Sequence, residues 1–281
     1  MPPKIAGHGA RKGRGLNDMT TATAPVQLLI AEGIATVTLN RPKEMNSFDG
    51  VTAQAILETV ARVAGDAAVR VVVIAANGPA FSAGGDFNWV LSWPGLSAAE
   101  RQQGAQVMTE VVQAIYDLPK PTIARVQGAA VGGGVGVMLA CDYAVAAETA
   151  RFGLTSVRNG LLAGIAIPAL IQAVGPRRAR QLLMHGGLFP AAEALAMGLV
   201  DRVVPADRLD EAVAALAREL TLGAPDVQAL VKRLVTRIDA MPTDGAVVDL
   251  IAGHVAAQCV TDEAREGMSA FLAKRKPRWA T

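Results

Sequence analysis

Two glycine turns are the parts of this sequence best suited to chemistry. The first is Phe81-Ser82-Ala83-Gly84-Gly85-Asp86 and the second is Gly132-Gly133-Gly134. Each follows an apolar, strand-like run and opens a helix-like one. Glycine loses the most backbone entropy on ordering and destabilises a helix interior by roughly 1 kcal/mol relative to alanine. In return it exposes backbone N–H groups where a helix begins and partial positive charge collects. Two such turns side by side would aim two N–H groups at one oxygen, an oxyanion hole made of backbone. Phosphate is another ligand for such a place, but its motifs fit poorly. A G-x-G-x-x-G reading from Gly132 meets Val137 at its last position, and G-x-x-x-x-G-K-[ST] is absent. H-E-x-x-H and G-x-S-x-G are also missing, and the histidines lie far apart. Spacing alone leaves open a blander use, in which the glycines only permit tight turns and close helix packing.

The elements that would hold these turns follow from the apolar pattern. Residues 26–30 and 34–39 read as strands around Glu32-Gly33. Asp49 can cap a helix over residues 50–64. The continuous apolar run 69–74 is the pattern of a strand covered on both faces. A helix is expected after Gly84-Gly85 and another from Ser97 to before Pro119. Residues 122–126 read as the strand that feeds the second glycine turn, with a helix closing near 139–143 and a strand at 144–146. Strand, glycine turn and helix thus recur, giving βαβ-type connections in series. Beyond Pro190 a helix is expected over 191–198 and a strand over 200–204, then helices over 207–222, 226–238 and 243–273. A domain boundary is placed near residue 215, which gives a core over 25–215 and a helical region over 216–281.

Composition sets limits on function. The chain has 281 residues, 51% of them hydrophobic and only 4% aromatic, so its core is built from Ala, Val, Leu and Ile. A net charge of +2 gives no argument for nucleic acid or a membrane surface as partner. No apolar run is long enough for a transmembrane helix. Cys141 and Cys259 read as buried free thiols, which suits a reducing, cytoplasmic setting. Residues 1–24 are basic, lack apolar periodicity and a signal-type apolar segment, and read as a disordered extension.

Several motifs in sequence order carry a family resemblance. Asn40-Arg41-Pro42-Lys43-Glu44-Met45-Asn46-Ser47-Phe48 resembles the NRP-x-x-x-N-A-[LF] segment of the enoyl-CoA hydratase/isomerase (crotonase) family. Residues 81–86 are similar to its F-[CS]-A-G-x-D. Lys120-Pro121-Thr122-Ile123-Ala124 through Gly128, the triple glycine and Cys141-Asp142 resemble its K-P-x-I-A…G-x-x-x-G-G-G…C-D block. Phe152-Gly153, Gly198-Leu199-Val200 and the Glu266-to-Pro277 segment complete the order, so the likeness spans residues 26–278. It implies an α/β fold, a crotonase-like spiral of ββα units with a C-terminal helical oligomerisation region that builds a homotrimer or a dimer of trimers. It also implies an acyl-CoA thioester substrate, no metal and no further cofactor. The oxyanion-hole N–H groups carry over to Gly85 and Gly133, and the shared step is stabilisation of a thioester enolate.

The sequence departs from the family at two places. Hydratases of the family carry one glutamate three residues after the middle glycine and a second three residues after the F-G pair. Those positions are Gly136 and Ser156 here. A serine hydroxyl without an activating base cannot take a proton from water near neutral pH, so hydratase activity is doubtful. Three readings stay open: an acyl-CoA enzyme with its acid/base elsewhere, an acyl-CoA-binding protein with little catalysis, or a decarboxylase or C–C hydrolase. Asp86 and Glu148 are the acids nearest the motifs in sequence; a helix-start role and a strand-edge role are their simpler readings. For CoA or substrate contact the candidates are Lys43, Ala83, Asp86, Trp89, Arg158 and Lys274, with Trp93, Asn159 and Lys276 beside them. His185, His254 and Asp142 read as structural.

Overall fold

The computed structural model describes residues 23–242 and 244–280. The expected extension over residues 1–24 lies outside them, apart from Thr23 and Ala24. Six strands form the larger sheet: β1 (Val26–Ala31), β2 (Ile34–Leu39), β3 (Val71–Ala76), β4 (Thr122–Val126), β6 (Tyr143–Ala147) and β9 (Arg202–Val204), in the order β1-β2-β3-β4-β6-β9. β1 and β2 form an antiparallel hairpin, and the remaining neighbours are parallel. β3 is buried at every position, as its unbroken apolar run requires. A smaller sheet, β5-β7-β8, combines β5 (Ala129–Val131), β7 (Arg151–Gly153) and β8 (Leu188–Pro190). Its strands have three residues each.

Helices α1 (Gly50–Gly65) and α3 (Ala98–Tyr116) pack together over one face of the large sheet. Asp49 caps α1 through Thr52 N–H at 2.7 Å. Ser97 and Glu100 form a reciprocal capping box at the start of α3. Between them lies the short α2 (Phe87–Leu91), and α4 (Gly133–Leu139) opens directly from the second glycine turn. α5 (Ile167–His185), which the apolar pattern did not suggest, bends at Gly175-Pro176, where Gly175 has φ 74°. α6 (Ala191–Met197) ends at Gly198 in the left-handed conformation.

α7 (Leu209–Leu220) covers the opposite face of the large sheet, with Leu209, Val213 and Ala217 packed on Val71, Val73, Ile123 and Val145. Residue 215 therefore lies within a helix of the sheet's own core. The helices that bury little begin with α8 (Pro225–Asp239), followed by α9 (Gly245–Gln258) and α10 (Asp262–Leu272). The single helix expected over 243–273 is two helices, because Thr261 caps α10 through Ala264 N–H. The expectation that both cysteines are buried holds only in part: Cys141 is partly buried, whereas Cys259 is exposed in the break between α9 and α10.

Candidate active site

The first glycine turn is anchored on the second by hydrogen bonds. Ser82 N–H donates to Ala129 O at 3.0 Å, and Val131 N–H donates to Ser82 O at 2.9 Å. Ser82 thereby bridges to β5 immediately before Gly132. The Ser82 hydroxyl donates to Asn46 O at 2.8 Å and accepts from Gly84 N–H at 3.1 Å. Asn46 is 1% exposed and ties the neighbouring loop together. Its amide nitrogen donates to Asn77 O at 2.9 Å and Ala80 O at 2.8 Å, and its oxygen accepts from Arg41 N–H at 2.8 Å. The role of Asn46 was visible in sequence only as a motif letter.

This anchoring makes the two turns nearly touch. Gly84 has φ +85°, and a Cβ there would stand 2.7 Å from Gly133 N and 2.8 Å from Val131 O. A Cβ on Gly134 would collide with Ser82 O. The glycines are thus required for approach as well as for turning. Phe48 pairs with the first turn through Phe48 N–H to Gly84 O at 2.7 Å and Asp86 N–H to Phe48 O at 2.8 Å. That pairing skips the Gly85 N–H. Gly133 is the first residue of α4, where N–H groups have no intrahelical acceptor. Among the described residues neither N–H donates to a protein acceptor. The Cβ position of Gly133 is 3.7 Å from Gly85 N, so the two donors are close neighbours.

Both residues line one cavity of about 390 Å³. Its walls are apolar: Phe87, Val90, Trp93, Met108, Leu161 and Ile165 are among them. Ser156 and Thr109 supply the hydroxyl groups on its lining, and no titratable side chain of the described residues lines it. Ser156 belongs to a short 3-10 segment, Thr155–Asn159, and its Oγ would be 3.4 Å from a Cβ on Gly132.

Gly136 does not reach this lining. It is buried one turn along α4, beneath the 3-10 turn Gly164–Ala166. A Cβ on it would stand 3.3 Å from Ala166 Cα and 3.4 Å from Ala166 N and Ile165 O. A side chain at this position would have to displace that turn by a few tenths of an ångström.

The remaining candidates fall outside the lining. Asp86 is 8% exposed and caps α2 through Asn88 N–H at 2.9 Å and Trp89 N–H at 3.4 Å. It also accepts from Ser47 Oγ and from Arg41, each at 3.2 Å. Burial alone would raise its carboxyl, but the hydrogen bonds from Trp89, Asn88, Ser47 and Arg41 outweigh burial and hold it below the usual carboxylate value. Asp86 is a fixed anion that braces the first turn, as its helix-start reading expected. Ala83 serves the same brace through its N–H to Met45 O at 2.9 Å. Trp89 meets the ring of Trp93 edge to face, with centroids 5.2 Å apart, and it is Trp93 that lines the cavity. Arg158 turns away to donate to His185 O at 3.2 Å. Lys43 is exposed on the 3-10 turn Pro42–Glu44, and Lys274 is exposed just beyond α10. Glu148 is exposed beside β6. Trp93, Met108 and Ile165 carried no motif; of these, the sequence reading weighed only Trp93, by its place after the first glycine turn.

Residues 30–281 match a protein-family model described as enoyl-CoA hydratase/isomerase. The chain is 35% identical over 249 residues to the crotonyl-CoA hydratase of Syntrophomonas wolfei, covering 87% of this chain and 94% of that protein. The crystal structure of an enoyl-CoA hydratase from Mycobacterium smegmatis superposes with a TM-score of 0.85 at 34% identity, over 92% of this chain and 99% of that one. An enoyl-CoA hydratase structure from Shewanella pealeana gives a TM-score of 0.88 at 28% identity, over 92% and 100% of the respective chains.

Proposed function

The chain belongs to the enoyl-CoA hydratase/isomerase family, and from that membership we propose an enzyme that polarises an acyl-CoA thioester between the N–H groups of Gly85 and Gly133. The observation that carries this reading is the pair of unpaired donors facing one apolar cavity. A thioester oxygen placed there accepts from both. When a bond at Cα breaks, its electron pair moves into the carbonyl and charge grows on that oxygen. Fixed donors in a water-poor site gain strength as this happens, and one such donor is worth about 3 kcal/mol in the transition state.

Proton transfer is the weak link. Hydration of an enoyl thioester needs water deprotonated at one carbon and a proton delivered at the next. Gly136 offers no group, and Ser156 offers a hydroxyl with no base beside it. General acid–base catalysis contributes roughly 10²–10⁴-fold, so crotonyl-CoA hydration should fall short by about that factor of a relative with both carboxylates. The lack of a titratable side chain on the lining favours a second reading, a β-carboxyl thioester that loses CO2. There the Cα–carboxylate bond supplies the electron pair to the enolate, CO2 leaves, and water returns a proton to Cα, with no protein base. An acyl-CoA binder with little catalysis is the non-enzymatic alternative.

One set of assays separates them. Crotonyl-CoA hydration and malonyl-CoA decarboxylation are measured beside acyl-CoA binding by calorimetry. Micromolar binding with slow hydration is expected. Hydration as fast as a two-carboxylate relative would overturn the assignment of Gly136 and Ser156 as missing acid/base positions.

The acyl-CoA reading also includes assembly. α8 and α9 bury no residue, while Val248, Ile251 and Val255 on α9 and Phe271 and Leu272 at the end of α10 stand exposed. Phe271 and Leu272 are 82% and 81% exposed. An apolar face of that kind supports a homotrimer or a dimer of trimers built through the C-terminal helices.

A further inference from the structure

Gly104 stands near the start of α3, where glycine weakens a helix and no turn or positive φ calls for it. What calls for it is a pair of indoles. A Cβ there would lie 3.1 Å from Cζ2 of Trp93 and 3.4 Å from Cζ2 of Trp89. Trp89 is itself backed by Gly50, whose Cβ position is 3.4 Å from Trp89 Cζ2. The two rings meet edge to face. Held by Gly104 on one side and by Trp89 on another, Trp93 is free on its remaining side, which lines the cavity. The following turns of α3 line the same cavity through Ala105, Met108 and Thr109. The cavity, about 390 Å³, has room for roughly a dozen water-sized groups at about 30 Å³ each.

We propose that Trp93, seated in the notch at Gly104, is the wall that sets the length of the acyl chain, and that the cavity takes apolar acyl groups longer than butyryl as well as short ones, binding the longer ones more tightly. This rests on the acyl-CoA reading of the site. The lining beyond the two N–H donors gives an acyl chain mostly carbon to touch, so affinity should rise roughly three- to fourfold per methylene until the chain meets Trp93.

The test is a calorimetric series of saturated thioesters, butyryl-, octanoyl- and dodecanoyl-CoA, on the parent protein and on three variants, one acting oppositely to the other two. Trp93→Leu keeps an apolar filler while removing the wall, and should raise the dodecanoyl-to-butyryl affinity ratio tenfold or more. Gly104→Leu pushes the indole toward the cavity and should lower the octanoyl-to-butyryl ratio tenfold or more. Gly104→Ala is the milder second variant, which favours the helix and should move the ratio in the same direction by a smaller factor. Circular dichroism confirms that each variant is folded. If folded variants bind the series with the parent's chain-length profile, the wall assignment is overturned while the acyl-CoA reading stands. If the folded parent binds none of the thioesters, the acyl-CoA reading falls and this inference falls with it.

Discussion

At the scale of single residues, the glycines divide by what surrounds them. Gly84 is held at φ +85° with Gly133 N at its missing side chain. Gly84→Ala should therefore lower stability by at least about 2 kcal/mol, from the left-handed backbone and the contact together. It should also weaken acyl-CoA binding; thermal melts and calorimetry read the two effects. Gly136 behaves differently. A Cβ there meets the Ile165–Ala166 backbone at 3.3–3.4 Å, so Gly136→Glu places its longer side chain beside a turn that has to give by a few tenths of an ångström. We expect a loss of about 2–4 kcal/mol and no gain in hydration from it alone. Ser156 lines the cavity, so Ser156→Glu should be better tolerated and should raise crotonyl-CoA hydration more than Gly136→Glu does. The two glycine turns were legible in sequence from their composition, whereas Gly85 and Gly133 were singled out within them by the family resemblance. The crowding over Gly136 was not legible, since it depends on a turn some thirty residues further along the chain. The sequence offered both Trp89 and Trp93 as pocket residues and could not tell which of them lines the cavity, because an indole looks the same in sequence whether it backs a pocket or lines it.

At the scale of elements, the end of the chain is held by one carboxylate. Glu266 on α10 accepts from Arg275 at 2.7 and 3.0 Å and from Arg278 N–H at 2.9 Å. The Arg275 hydrogen bond chiefly pulls its carboxyl down to about 2, with further help from Arg278. A carboxyl lowered in the folded state stabilises it above the unfolded value and loses that effect as pH falls through the folded one. The contribution of this clasp is thus full above about pH 4.5 and vanishes as pH falls toward about 2. Trp279 reports on it, because its indole N–H donates to Leu222 O at 3.2 Å and its carbonyl accepts from Arg70 at 2.9 Å. With Trp89 and Trp93 replaced by Phe, Trp279 fluorescence should change within that window, and Arg275→Ala should shift the change to higher pH. Long elements with one dominant period, such as α1, α3 and β3, were readable from sequence. α5 was not, since Gly175-Pro176 interrupts its middle and it buries only Ala169, Leu170 and Ala179. The three-residue strands of the small sheet are too short to show a period.

At the scale of the whole molecule, a large, mainly parallel sheet positions two glycine turns, and the C-terminal helices present exposed apolar side chains that none of the described residues covers. On the proposed trimeric assembly, the parent should sediment as a trimer or hexamer, and Phe271→Asp with Leu272→Asp should give smaller species in sedimentation velocity with the far-ultraviolet circular dichroism unchanged; a parent that sediments as a monomer would overturn that proposal. Among the described residues no helix is long and apolar enough to cross a membrane. The central claim concerns the thioester oxygen, and infrared difference spectroscopy of crotonyl-CoA labelled with carbon-13 at its carbonyl observes that oxygen's bond directly. Held between Gly85 and Gly133, the bound carbonyl should stretch at a lower frequency than in water, and Gly84→Ala should abolish the shift. A bound carbonyl that absorbs at or above its frequency in water would contradict the account.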